Sequence, residues 1–143
     1  MKKAIIGAGL TLAIFFSQNL FGQTVVGKWR TIDDETGKPK SIVEIYEQNG
    51  KLYGKIVKLF REPNEDQDPV CDKCEDTRKN KKIIGMNIIT EMSKDGTEYS
   101  GGEILDPKKG KIYRCKLWVE NGKLMVRGYL GFFYRTQTWT KEG

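Results

Sequence analysis

Histidine is absent from this 143-residue chain, and cysteine occurs only three times. The lack of histidine removes the side chain that most often acts as a general base near neutral pH and most often ligates metals. Three cysteines do not supply the four-ligand set that is typical of structural zinc. The sequence also lacks a nucleophile–base pair and a glycine-rich phosphate loop. It therefore predicts no metal and no cofactor, and it favours a non-enzymatic protein.

A strong excess of positive charge is also missing. The chain has 25 basic and 19 acidic residues, which gives a formal net charge of +6. Lys2 and Lys3 lie in a segment that we expect to be removed, so the mature charge is two lower. Nucleic-acid-binding proteins carry a clustered basic face. The modest charge therefore predicts no nucleic-acid partner.

The first 22 residues have the pattern of a secretory signal peptide. Two lysines precede an apolar run from Ala4 to Phe16, and Gly22 is a small residue at the expected cleavage point. The run is shorter than the ~20 residues of a membrane-spanning helix, and no cysteine follows it that could carry a lipid. We expect an exported protein, periplasmic or secreted, without a transmembrane segment after processing. Residues 1–22 would be the signal peptide and residues 23–143 a single domain.

The strongest structural signal is the dipeptide Asn121-Gly122, which lies between two alternating apolar runs. Asn-Gly favours a type I′ hairpin turn because both central residues need positive φ. Counting back from the turn sets the register, and strand alternation then separates two faces. The expected core face consists of Cys115, Leu117, Val119, Leu124 and Val126. The expected outer face consists of Arg114, Lys116, Trp118, Met125, Arg127 and Tyr129.

Two other dipeptides predict further hairpins. Aromatic and opposite-charge neighbours support the register at Asn49-Gly50, because such pairs stabilise adjacent strands. Its predicted pairs are Tyr46 with Tyr53, Glu44 with Lys55, and Ile42 with Val57. A turn centred on Asp95-Gly96 would place Met92 opposite Tyr99. It therefore favours a strand from Ile83 to Met92, for which a short helix is the alternative.

These signals predict an all-β protein of about eight mostly antiparallel strands. An up-and-down barrel is the simplest arrangement because closure removes the sheet edges, and a β-sandwich is the alternative. Residues 61–82 interrupt the pattern as a long polar loop, and loops of this length are often functional. The acidic residues of this loop lack the spacing of an EF-hand, so we interpret them as solvated rather than calcium-binding.

Several short motifs, in order along the whole mature chain, resemble the bacterial exported-protein family called domain of unknown function 2147. They include Gly27-Lys28-Trp29, Asp68-Pro69-Val70-Cys71, Ile84-Gly85-Met86, Leu105-Asp106-Pro107 and Arg135-Thr136-Gln137-Thr138-Trp139. The resemblance implies an exported β-rich protein and implies no activity. Gly27-Lys28-Trp29 is also similar to the first-strand motif of lipocalins. That second likeness implies a lipocalin-like barrel in which Arg135 packs across Trp29.

Cys71 and Cys74 are the most distinctive chemical feature. A structural disulfide between them fits an oxidising compartment, and Cys115 then remains a buried thiol on the core face. A bridge from Cys74 to Cys115 is the alternative. Thiol–disulfide oxidoreductase activity at Cys71 and Cys74 is a further hypothesis, although the acidic neighbourhood raises rather than lowers a thiol pKa.

Two binding hypotheses remain. The leading one is a non-catalytic barrel that binds a small apolar or amphipathic ligand. Its candidate contacts are Trp29, Phe132, Phe133, Tyr134 and Arg135. The other is an envelope interaction protein whose outer face contacts an anionic lipid or glycan, since two cations lie opposite each other there. Its candidate contacts are Arg114, Lys116, Trp118, Arg127 and Tyr129. The simpler interpretation of this face is that its cations extend into water.

Overall fold

Eight strands follow one another around a closed antiparallel barrel in the computed structural model, which describes residues 24–143. The strands are β1 (Gly27–Ile32), β2 (Pro39–Gln48), β3 (Lys51–Leu59), β4 (Asn87–Asp95), β5 (Glu98–Asp106), β6 (Lys111–Glu120), β7 (Lys123–Leu130) and β8 (Phe133–Lys141). The predicted all-β barrel is confirmed, and the β-sandwich alternative is wrong. The predicted signal peptide lies outside the described residues.

The β6–β7 hairpin has the predicted register along its whole length, from Arg114 opposite Tyr129 to Glu120 opposite Lys123. Asn121 and Gly122 have φ values of 53° and 75°, as a type I′ turn requires. The β2–β3 hairpin likewise pairs Tyr46 with Tyr53 and Glu44 with Lys55. In both hairpins the turn residues alone fixed the register because the loop contains only two residues.

The observed register differs from the predicted one in two places. A bulge between Ile42 and Val43 places Ile42 opposite Lys58, so the predicted pairing with Val57 is wrong. The β4–β5 turn is centred on Gly96 and Thr97, so Tyr99 lies opposite Lys94 rather than Met92. The strand predicted to begin at Ile83 begins at Asn87.

The barrel interior is filled by large apolar side chains. Those with almost no exposure are Trp29, Val43, Ile45, Ile89, Met92, Leu117 and Leu124. They come from five of the eight strands, and the wider buried cluster to which they belong includes residues from all eight. Burying one such side chain contributes about 1.5–3 kcal/mol to stability, which makes this cluster the main source of folding free energy.

Strands β8 and β1 close the barrel through a short seam. Only two residue pairs join them, Trp29 with Lys141 and Arg30 with Thr140. The ion pair between Arg30 and Glu142, at 2.9 Å, and the hydrogen bond from the Glu142 amide to the Lys28 carbonyl extend the contact. The seam therefore depends on side chains as well as on the backbone ladder.

Residues 61–82 pack against the barrel as a stapled loop. Cys71 and Cys74 form the predicted disulfide, and both are completely buried. The Sγ atom of Cys71 lies 3.5 Å from the carbonyl oxygen of Pro107, which belongs to the β5–β6 turn. The disulfide also belongs to the same buried cluster as Leu105. The loop is thus anchored through its cysteines, and Cys115 is a separate, buried free thiol.

None of the described residues forms an apolar helix of membrane-spanning length.

We expect the Cys115 thiol to stay protonated and unreactive in the folded protein. Burial raises its pKa from the ordinary 9.0 to about 12. Because the folded pKa exceeds the unfolded one, the stabilisation is complete below pH 9 and is lost as the pH rises towards 12, by at most about 1.4 kcal/mol per pH unit. The measurement is the free energy of unfolding against pH, compared with Cys115→Ala, together with thiol labelling at pH 8. Rapid labelling of the folded protein would contradict this assignment.

Candidate functional site

The inner face of the barrel opens to solvent at one end, along the β7–β8 hairpin. Cross-strand pairs on this face run from Leu124 with Trp139, through Val126 with Gln137 and Gly128 with Arg135, to Leu130 with Phe133. The first pair is buried, whereas Leu130 is 59% and Phe133 80% exposed. One continuous face therefore passes from core to water, and we call this end of the barrel the open rim.

Polar side chains form a connected chain along the same face. Trp139 donates its indole N–H to Oε1 of Gln137 at 3.0 Å, and Gln137 donates its amide to Asp34 at 2.8 Å. Asp34 also forms an ion pair with Arg135 at 2.6 Å. The chain begins at a buried indole and ends at a guanidinium that is 71% exposed. It brings the polar groups of Gln137 and Arg135 onto the face that also carries the apolar Leu130 and Phe133.

The open rim thus combines two chemistries within one hairpin. We define the rim cluster as Asp34, Leu130, Phe133, Arg135 and Gln137. Its apolar members have surface to bury against a ligand. Arg135 carries five N–H donors, and an exposed ion pair contributes only about 0–1 kcal/mol, so exchanging Asp34 for another acceptor costs little. The arrangement suits a molecule with one apolar part and one polar part.

The residues predicted from the sequence to contact a ligand lie in different parts of the barrel. Phe133 and Arg135 lie on the inner face of the open rim, Phe132 lies in the turn itself, and Tyr134 lies opposite Tyr129 on the outer face. Trp29 is 2% exposed, and its indole N–H donates to the carbonyl oxygen of Val25 at 2.9 Å. Trp29 is therefore a core residue, so its predicted role as a ligand contact is not carried forward.

The predicted packing of Arg135 across Trp29 is wrong. Lys141 occupies that position, with its Nζ 4.9 Å from the Trp29 ring centroid. The reason is the register of the seam, which places Lys141 opposite Trp29. Arg135 lies six residues earlier in β8 and reaches Asp34 instead. Strand β8 contains two cations, Arg135 and Lys141, and no sequence pattern indicates which of them lies over Trp29.

The outer face has the predicted residues, but its cations have partners within the protein. Arg127 stacks on Trp118 at 4.9 Å and on Tyr134 at 4.2 Å, and it donates Nε–H to Thr136. Lys116, directly opposite, forms an ion pair with Glu98 at 3.4 Å. The repulsion expected between the two facing cations is therefore compensated internally. This face needs no anionic partner to explain its charge.

Two surface clefts accompany these features. One of about 460 Å³ lies on the outer face where β5 bulges, between Gly101 on one side and Arg114, Lys116 and Tyr129 on the other. The other, of about 550 Å³, lies between the stapled loop and the start of β4, with Arg78 and Met86 among its lining residues. The first includes three of the predicted outer-face residues.

The stapled loop does not favour the oxidoreductase hypothesis. A catalytic dithiol must be reached by a thiolate, and reactive cysteines lie in exposed, electropositive surroundings. Here both sulfurs are fully buried in a bridged pair. The disulfide thus has the features of a structural staple.

Sequence reasoning missed three members of the rim cluster, namely Asp34, Leu130 and Gln137. Leu130 could have been found, because a two-residue turn at Gly131-Phe132 places it opposite Phe133. Asp34 lies 101 positions before Arg135 in the chain, in the connection between β1 and β2. No local pattern links residues so far apart, and only the closed barrel brings them together.

A match to a family model identifies the family of the chain. A family model described as "Uncharacterized protein conserved in bacteria (DUF2147)" matches residues 27–141, which is the whole barrel. The chain belongs to this family. Its members are bacterial proteins of uncharacterised function, so membership supports the predicted resemblance and carries no activity to this chain.

A solved structure provides an independent comparison of the fold of this DUF2147 protein. Protein HP1028 from the human pathogen Helicobacter pylori, described as belonging to the lipocalin family, matches with a TM-score of 0.69 and 21% identity. The match covers 84% of each chain. At this identity the likeness concerns the fold alone, and it confirms the predicted lipocalin-like barrel. A search of curated proteins finds no match.

Proposed function

We propose that this DUF2147 protein is an exported, non-catalytic binding protein for a small amphipathic ligand, which it holds at the open rim. The observation that carries the proposal is the exposure of Leu130 and Phe133 on the same face as the buried core pair Leu124 and Trp139. Apolar surface that continues from a core into solvent is the kind of surface that ligand sites use.

The polar residues suggest which end of the ligand lies where. Arg135 and Gln137 follow Phe133 along β8 towards the core, so a polar head would lie deeper than the rim aromatics. A carboxylate or other acidic head would accept hydrogen bonds from Arg135, because guanidinium and carboxylate groups match in geometry. The apolar part would then cover Leu130 and Phe133. A buried lipocalin-type cavity is not required for this mode of binding.

The experiment is a fluorescence titration of the mature protein with a long-chain carboxylate probe and with its uncharged alcohol analogue. We expect Phe133→Ser to weaken both probes about tenfold, since burying a Phe side chain contributes about 1.5–3 kcal/mol. Arg135→Gln should weaken the carboxylate about tenfold and leave the alcohol nearly unchanged, because charge-assisted hydrogen bonds contribute about 1.5–3 kcal/mol.

Matched controls come from the outer face of β8 and from the outer face of β6, which neighbours β7. Tyr134→Ser removes the adjacent aromatic, and Arg114→Gln removes an exposed cation, but neither side chain lies on the inner face. Both variants should bind as the wild type does. Equal losses in Phe133→Ser and Tyr134→Ser, or no binding of either probe to the wild type by titration and native mass spectrometry, would refute the proposal.

A further inference from the structure

The apex of the β7–β8 hairpin displays an aromatic side chain that contributes nothing to the fold. The turn consists of Gly131 and Phe132, because Leu130 pairs with Phe133, and Gly131 has φ of +61°. Glycine at the first central position is typical of a type II′ hairpin turn. Phe132 is 100% exposed. Its ring buries no surface within the chain, so its full apolar area is available to a partner.

Other large apolar residues surround this apex. Tyr134 is 59% exposed, and Leu130, Phe133 and Ile112 are exposed as well. Strand β6 begins at Lys111 and pairs with β7, which ends at Leu130, so Ile112 lies beside the hairpin. Five exposed apolar side chains at one end of a small barrel form a patch rather than scattered single residues, and such patches mark interaction sites.

Cations flank the patch on the same side. Lys108 and Lys109 lie in the β5–β6 turn, Lys111 begins β6, and Arg114 follows on its outer face, and all four are exposed. None of the ion pairs found within residues 24–143 involves Lys108, Lys109 or Lys111. This differs from the outer face, where Lys116 and Arg127 are already partnered. Three exposed lysines that form no ion pair among residues 24–143 thus accompany Phe132, the most exposed aromatic side chain of this part of the chain.

We infer that this apex, formed by Phe132 with Lys108, Lys109 and Lys111, docks the barrel on an anionic phospholipid surface. Aromatic side chains partition into the interface between headgroups and acyl chains, and lysines beside them attract anionic headgroups. A β-hairpin apex can insert one ring while the backbone groups of its strands remain paired in the barrel. The stapled loop contacts the β5–β6 turn, with Sγ of Cys71 3.5 Å from the carbonyl oxygen of Pro107. Its acidic side chains nevertheless form no ion pair with Lys108, Lys109 or Lys111 among residues 24–143, so these lysines remain available to anionic headgroups.

The inference is independent of ligand binding at the open rim. Phe132 does not belong to the rim cluster, and the three lysines lie outside it. If both proposals hold, docking would present the rim to the membrane, where amphipathic molecules are found. Each can fail without the other, because Phe132→Ser and the variants of the three lysines leave the rim cluster unchanged, so vesicle binding can be lost while binding of the carboxylate probe is retained.

The test is co-sedimentation of the mature protein with vesicles of phosphatidylcholine alone or mixed with phosphatidylglycerol, at low and high salt. We expect binding to the anionic vesicles only, weakened at high salt because exposed charges are screened. Phe132→Ser should weaken binding about tenfold. The triple variant Lys108→Gln, Lys109→Gln, Lys111→Gln should weaken it on the order of 100-fold, which corresponds to about fivefold for each lysine near the surface.

The matched controls remove the same groups from the other end of the barrel. Lys28→Gln, Lys94→Gln, Lys123→Gln removes three exposed lysines, and Val26→Ser removes an exposed apolar side chain. Both should bind the vesicles as the wild type does. Since all altered side chains are exposed, thermal unfolding should be unchanged in every variant. In a Phe132→Trp variant, the tryptophan emission should shift to shorter wavelength on binding anionic vesicles.

Three outcomes would overturn the inference. One is equal binding to neutral and anionic vesicles, or no binding. Another is an equal loss in the apex and control lysine variants, which would indicate a general charge effect. The third is a dimer by analytical ultracentrifugation that Phe132→Ser converts to monomer without vesicles, which would assign the apex to a second copy of the chain.

Discussion

Replacing Gly102 by alanine should destabilise the barrel by about 3 kcal/mol or more. Gly102 lies opposite Cys115 on the inner face. A Cβ at this position would overlap the backbone carbonyl oxygen of Thr90 and would come within 2.7 Å of Sδ of Met92. A backbone atom in a closed barrel cannot move aside, so β4 and β5 would have to separate. The measurement is the free energy of unfolding in guanidinium chloride with the disulfide intact.

Gly128 provides the matched control for this prediction. It lies opposite the same Cys115, on the other neighbouring strand. A Cβ there would lie 3.4 Å from Cβ of Tyr113, an ordinary contact. Gly128→Ala should change stability by less than about 0.5 kcal/mol, with some gain from the reduced entropy of the unfolded chain. If Gly102→Ala were as stable as Gly128→Ala, the close approach of β4 and β5 at Thr90 would be wrong.

Replacing Trp29 by alanine should cost about 3–5 kcal/mol, as expected for a fully buried aromatic side chain. Trp29 contributes core volume, a hydrogen bond to Val25 and the ring on which Lys141 rests. Trp118 on the outer face is the control, because it is only partly buried and contacts Arg127 through a cation–π interaction. Trp118→Ala should cost about 1 kcal/mol. Both are measured by denaturant unfolding.

A second substitution of Trp29 distinguishes a role in the core from a role in ligand binding. In Trp29→Phe the barrel should remain folded, losing about 1–2 kcal/mol because the Val25 carbonyl loses its donor. We expect this variant to bind the carboxylate probe as the wild type does. Weakened probe binding with little loss of stability would return Trp29 to the ligand site and would contradict its assignment to the core.

The predictions that succeeded relied on local chemistry. Asn49-Gly50 and Asn121-Gly122 fix two hairpins because positive φ at both central residues leaves one turn type and one register. Alternation then identified Cys115, Leu117 and Leu124 as core. The disulfide could be predicted as well, since two cysteines three positions apart need only a local turn to meet.

The candidate site was predicted only in part. Phe133 and Arg135 were named from the sequence, yet their partners were not, because Asp34 meets Arg135 across the barrel seam. The outer-face cations were named too, but Glu98 was not recognised as the partner of Lys116. A bulge in β5 between Tyr99 and Gly102 shifts that register, and a bulge leaves no clear pattern in the alternation of side chains.

The sequence by itself determined the all-β class, two hairpin registers, the core-facing residues of the β6–β7 hairpin and the stapled loop. Each depends on interactions between neighbours in the chain or across one turn. The tertiary structure alone decided that Lys141 rather than Arg135 lies over Trp29, that Asp34 joins Arg135, and that the inner face opens at the β7–β8 end. These features depend on how eight strands close on themselves. When the barrel closes, the pairing of β8 with β1 depends on the register shift of every bulge in the strands between them. Residues distant in the chain therefore meet at positions that no local pattern encodes.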